Sequence, residues 1–68
     1  MNGYKLLLAS AVGERDGMAV ELAVESGERL AEVFEDDLTK ERTVTFFTVE
    51  AVPLAVVEWF LTEAARRL

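Results

Sequence analysis

Carboxylates are the residues in this chain best placed to do chemistry, and Glu35, Asp36, Asp37 and Glu41 form their densest group. Oxygen-rich clusters can hold calcium or magnesium. This one lacks the alternating Asp/Asn spacing and mid-loop glycine of an EF-hand, and Lys40 and Arg42 interrupt it. It reads as a solvated hairpin turn, with Asp36 able to pair with Arg42 across the strands. Glu32 is the second candidate. If the fold buries it, it would be the only plausible general base in the chain. Glu32 or Glu35 beside Phe46 or Phe47 would then serve a carboxylate-dependent enzyme or small-ligand binder, which also needs a concave apolar pocket. The glycines of "GERDG" (Gly13 to Gly17) lack the spacing and the Lys-Ser/Thr pair of a phosphate-cradling loop, so this stretch reads as a turn.

The chain has no cysteine and no histidine. Disulfides, thiolate metal sites, Ser-His-Asp or Cys-His catalysis and zinc sites of the usual type are therefore excluded. No side chain has an ordinary pKa near neutrality. The expectation is a protein that is not an enzyme and holds no cofactor or metal. The net charge of -6, from 13 acidic and 7 basic residues, opposes nucleic-acid binding, whose affinity comes from Lys and Arg neutralising phosphates. It suits solubility, or a basic protein partner steered in by complementary charge.

These residues must be positioned by a small body. The 68 residues make one domain, 1–68, with 51% hydrophobic and 29% charged residues. A core of this size supplies only about 3–5 kcal/mol, so regular packing or self-association has to help. "KLLLASAV" imitates a short secretory leader but also reads as a core strand, and no run approaches the ~20 apolar residues that span a bilayer. A cytoplasmic protein with no membrane contact is expected.

Turn signals at "GERDG", "ESGE" and "DDLTKER" divide the chain into strand-like segments. Tyr4 to Val12 is apolar on both alternating sets, which predicts cover on both faces. Met18 to Glu25 alternates, with Met18, Val20, Leu22 and Val24 toward the core. Thr43 to Val49 is all β-branched or aromatic. Residues 29–38 fit a strand, though Leu30, Val33, Phe34 and Leu38 also sit at helical spacing. The fold class is α+β: a small antiparallel β-meander of three to four strands with one C-terminal α-helix packed on one face.

The hairpin around "ESGE" has two candidate registers. With Val24 opposite Arg29, Glu21 faces Glu32 on the outer face, and Leu30 and Phe34 point outward. Shifting by one residue places Leu30 opposite Val24 and Phe34 opposite Val20, pairs Glu25 with Arg29, and turns Glu32 inward against Leu22. Either solution leaves something for a partner to neutralise or cover.

The closing helix follows Pro53, a residue suited to a first helical turn. Leu54, Val57, Leu61, Ala64 and Leu68 form its expected inner stripe, and Arg66 and Arg67 complement the dipole in its last turn. The sole tryptophan, Trp59, lies about 140° round from Leu54, between Glu63 and Arg66. Either its indole is shielded by Arg66 or deep burial of the helix, or it is the centre of a contact surface. The second reading makes Trp59, Val56, Phe60, Glu63, Arg66, Glu32 and Phe34 the partner-binding residues. The expected function is a small acidic protein-interaction domain of inhibitor, neutralising or adaptor type, acting as a homodimer through its helix and sheet. A small-ligand binder or carboxylate enzyme is one alternative. A nucleic-acid mimic occupying a basic site on a partner is another.

Overall fold

The computed structural model describes residues 1–11 and 16–68. Its elements are β1 (Tyr4–Ala11), β2 (Gly17–Val24), β3 (Arg29–Asp36), β4 (Arg42–Phe46) and α1 (Leu54–Arg67). The strands form one antiparallel sheet in chain order, β1-β2-β3-β4, and α1 packs on one face. The expected α+β meander is the fold, and residues 29–36 are strand rather than helix. Val12 and residues 13–15 of the expected Gly13–Gly17 turn lie outside the described residues.

A glycine sets the β2–β3 hairpin. Gly27 takes φ 103°, and its N–H donates to the Val24 carbonyl at 2.8 Å, while Val24 N–H donates to Glu28. Glycine at a left-handed position in a short loop is a geometry that continues the twist of the strands. Beyond it, Ala23 pairs with Arg29 but Leu22 pairs with Ala31, so Leu30 is an extra residue on β3. Such a bulge reverses the facing of the residues beyond it. Glu21 therefore opposes Glu32, as in the first of the two registers, while Leu30 is freed from the outer face and joins the core. Neither uniform register accommodates both.

The core joins Val20, Leu22, Leu30, Ala31 and Val33 of the sheet to Val56, Phe60 and Ala64 of the helix, with Tyr4, Leu6, Val24, Val52, Trp59 and Leu68 packed around it. The inner stripe of α1 is thus rotated about a quarter turn from the one expected. Leu54 is 71% exposed and Leu61 43%, although both belong to the expected stripe. Two apolar stripes compete on this helix. They share Ala64, and the one facing the sheet buries the Phe60 ring completely.

Edge positions account for two further differences. β1 pairs on one side only, and its Leu7 and Leu8 stay exposed while Tyr4 and Leu6 pack on the core. The expected cover on both faces fails: Leu7 lies on the face away from α1, and Leu8, though on the helix face opposite Val20, lies on the edge strand beyond the core that α1 covers. β4 ends at Phe46 rather than Val49. Beyond it, Thr48 Oγ1 accepts from Glu50 N–H at 3.0 Å, a local bond that competes with continued strand pairing.

On the outer face, the Phe34 ring reaches across to β2 at Gly17. A Cβ built there would meet the Glu35 carbonyl oxygen, and Phe34 Cζ would lie 2.7 Å from it. At Gly27 no atom is near and only the positive φ resists a side chain. Gly17→Ala is expected to destabilise the domain by at least ~2 kcal/mol and more than Gly27→Ala, whose strain is about 1–2 kcal/mol. Urea unfolding of the two variants checks the order.

Candidate interaction surface

The outer face of the sheet carries its charged residues in rows. Leu7, Glu21, Glu32 and Thr45 line up across the strands through the observed pairings. Directly opposed carboxylates repel. Here Arg29 crosses diagonally beside Ala23 and bonds Glu21, Nη1 to Oε2 at 2.8 Å. The same guanidinium sits over the Phe47 ring, 5.2 Å from its centroid. Glu32 is 3% exposed, and no buried side-chain oxygen or nitrogen among the described residues lacks a hydrogen-bond partner. Small β2 residues let these long side chains lie flat: Ala19 and Ala23 are buried beneath their neighbours, and Phe34 is buried although it belongs to the face away from α1.

The acidic turn is organised by its own backbone. Asp36 Oδ1 accepts from Leu38 N–H at 2.8 Å and Thr39 N–H at 3.0 Å, and Lys40 takes φ 63°. These bonds, Thr39 first, hold the Asp36 pKa below the usual aspartate range, with the charge of Lys40 adding to them. Asp36 is thus committed to the turn. The cross-strand partner of Arg42 is Glu35 at 2.8 Å, not Asp36 as expected.

β4 is the open side of the molecule. All five of its residues are exposed. Its phase follows from its flanks: Glu41 accepts from Asp36 N–H, and Phe47 N–H donates to Leu30. In an antiparallel ladder alternate residues bond the same neighbour. Thr43 and Thr45 therefore turn their backbone groups to β3, and Arg42, Val44 and Phe46 turn theirs away from the sheet. On the helix side of this edge Val44 is 48% exposed and Phe46 47%, outside the core that α1 covers.

The expected partner-binding set is dispersed. Val56 and Phe60 are core residues and cannot flank an exposed tryptophan. Trp59 is half-buried against that core. Arg66 is exposed and bonds Glu63 at 2.7 Å, with Arg67 at 3.4 Å from the same oxygen. The Arg66 hydrogen bond holds the Glu63 pKa below the usual glutamate range, and Glu63 in turn raises that of Arg66. Glu32 and Phe34 lie on the opposite side of the sheet from α1. Val44 and Phe46 are absent from the expected set. The signal for them is topological: the last strand of a meander has one neighbour, yet this one carries Val44 and Phe46 on its helix side and β-branched Thr43 and Thr45 on the other.

No protein family, curated protein or solved structure matches the chain significantly. Among the described residues there is no pocket, and no group of three or more acidic side chains is placed to hold a metal ion. No helix among them is long and apolar enough to cross a membrane.

The rotation of α1 has a direct mutational signature. Phe60→Ala is expected to cost about 3–5 kcal/mol, comparable to the whole stability of a domain this small. Leu61→Ala should cost under ~1.5 kcal/mol, because its side chain is already partly in water. Circular dichroism melts of both variants distinguish this from the stripe containing Leu61. For Asp36, a folded-state pKa below the unfolded one contributes stability that is present above about pH 4 and lost as pH falls through the folded value. Asp36→Asn keeps an acceptor oxygen but cannot titrate. Wild type should be the more stable at neutral pH, and its advantage should shrink steadily on acidification below about pH 4. Parallel acid-unfolding curves measure this.

Proposed function

We propose that this chain is a small acidic protein-interaction domain that works by binding protein and carries out no reaction itself. The observation that carries the reading is β4. Natural proteins guard an edge strand with lysine, proline, a bulge or a covering element. β4 has no lysine or proline, and its single charge, Arg42, is drawn back to Glu35. What remains is a row of outward backbone groups beside Val44 and Phe46. An extended segment of another protein chain can add to such an edge by main-chain hydrogen bonds, with the side chains supplying specificity. The net charge of -6 favours encounter with a basic partner. An inhibitory, neutralising or adaptor role is the form this reading takes. A cytoplasmic location belongs to the same proposal, supported by the strand character of Tyr4–Ala11, where the leader-like run sits.

Photo-crosslinking tests the surface. A benzophenone amino acid replaces Phe46 in one variant and Leu38, exposed at the tip of the acidic turn, in another. Irradiation in the source cell should give protein adducts from position 46 at about ten times the yield from position 38, the ratio that ~1.4 kcal/mol of preferential contact produces. Equal yields from both positions would remove β4 as a binding surface.

A further inference from the structure

We propose that the protein seated on β4 is a second copy of this chain, its β4 paired antiparallel to the first about a two-fold axis at Val44. The proposal rests on the reading of β4 as a contact surface and adds the partner and the register. The backbone phase sets the first condition. Arg42, Val44 and Phe46 carry the outward N–H and C=O groups, so an added strand must bond these residues. In an antiparallel pair each bonded residue exchanges both groups with the one opposite. Placing Val44 opposite the partner's Val44 sets Arg42 opposite the partner's Phe46, and Phe46 opposite the partner's Arg42. Every outward backbone group of the strand is then satisfied on both copies. Shifting the axis to Thr43 or Thr45 leaves one of these residues outside the ladder.

The side chains fit the same register. On the helix side, valine meets valine, and each Phe46 ring lies beside the aliphatic stem of the partner's Arg42, whose guanidinium stays on Glu35. On the outer side, Thr43 meets the partner's Thr45, a favourable cross-strand pair. No like charges are opposed. Glu41, the acid that precedes β4, faces the partner's Phe47, and Glu35 is neutralised by Arg42. A chain of net charge -6 thus presents to its copy a strand whose single charge, Arg42, is neutralised by Glu35. That removes the local repulsion which would otherwise oppose self-association of an acidic protein.

The other edge is less suited. The N–H of Tyr4 on β1 already donates to the Met1 carbonyl at 3.1 Å, and Lys5 lies in that strand. Pairing β1 of one copy with β4 of another would be head-to-tail and open-ended. Pairing β4 with β4 closes at two copies and joins the sheets into one.

The absence of cysteine makes the register directly testable. Val44→Cys, Thr43→Cys and Thr45→Cys each introduce a single thiol into the full chain. Opposed bonded residues lie about 5.5 Å apart between Cα atoms, within the range a disulfide spans, whereas diagonal neighbours are about 7–8 Å apart. Wild type should sediment as a dimer at micromolar concentration. Val44→Cys should oxidise to a linked dimer about ten times faster than Thr43→Cys or Thr45→Cys alone, and a mixture of the two threonine variants should link as heterodimers. A monomeric wild type with no preferential linking at position 44 overturns the proposal, as does fastest linking at 43 or 45. A monomeric chain whose position-46 photo-adducts are all to a different protein also overturns it, while leaving the interaction reading intact. Wild-type sedimentation is independent of any effect of the cysteines on folding.

Discussion

One extra residue in β3 decides which side of the sheet each of its neighbours sees. Without Leu30 as a bulge, the hairpin would face a choice between exposing two large apolar side chains and burying a carboxylate among leucines. The bulge separates the two demands. Leu30 enters the core under α1, while Glu21 and Glu32 remain together on the outer face, where Glu32 is buried away from the leucines and Arg29 is bonded to Glu21. Bulges re-aim side chains at the cost of one unpaired position, and a small domain has few other means of doing so.

The outer face depends on that arrangement. Among the described residues no helix lies on that side, and cover comes from the sheet's own long side chains lying over small ones. Phe34 reaches Gly17, and the Arg29–Glu21 bridge runs beside Ala23. This solution needs glycine and alanine on β2 and long residues on β3. It also gives Arg29 two neighbours, Glu21 and Phe47, so that electrostatic balance and aromatic cover depend on one side chain.

The same economy leaves β4 uncovered. A single helix spans part of one face, and its core is drawn from β1, β2 and β3. The last strand contributes backbone pairing to β3 while its apolar side chains stay half in water. A solvent-exposed, apolar edge of this kind is costly for an isolated monomer and useful for an associating one. The acidic residues that keep the chain soluble lie elsewhere: in the β3–β4 turn, on the outer face and along α1.

The residues by themselves determined the element order, the antiparallel meander and the position of the helix, because period-2 and period-3.6 patterns and glycine turns are local properties. They also determined which chemistries are unavailable, since a missing histidine or cysteine is missing in any fold. They left open which register the hairpin takes and which stripe of α1 turns inward. Both are comparisons between nearly equal local patterns. Val56, Phe60 and Ala64 repeat as regularly as Leu54, Leu61 and Leu68, and the choice depends on how the Phe60 ring fits into the core with Leu22 and Val20. The local pattern therefore points to Trp59 as the centre of a contact surface flanked by Val56 and Phe60, and passes over β4. Whether an apolar side chain is core or contact depends on what the rest of the chain can cover, and only tertiary packing sets that.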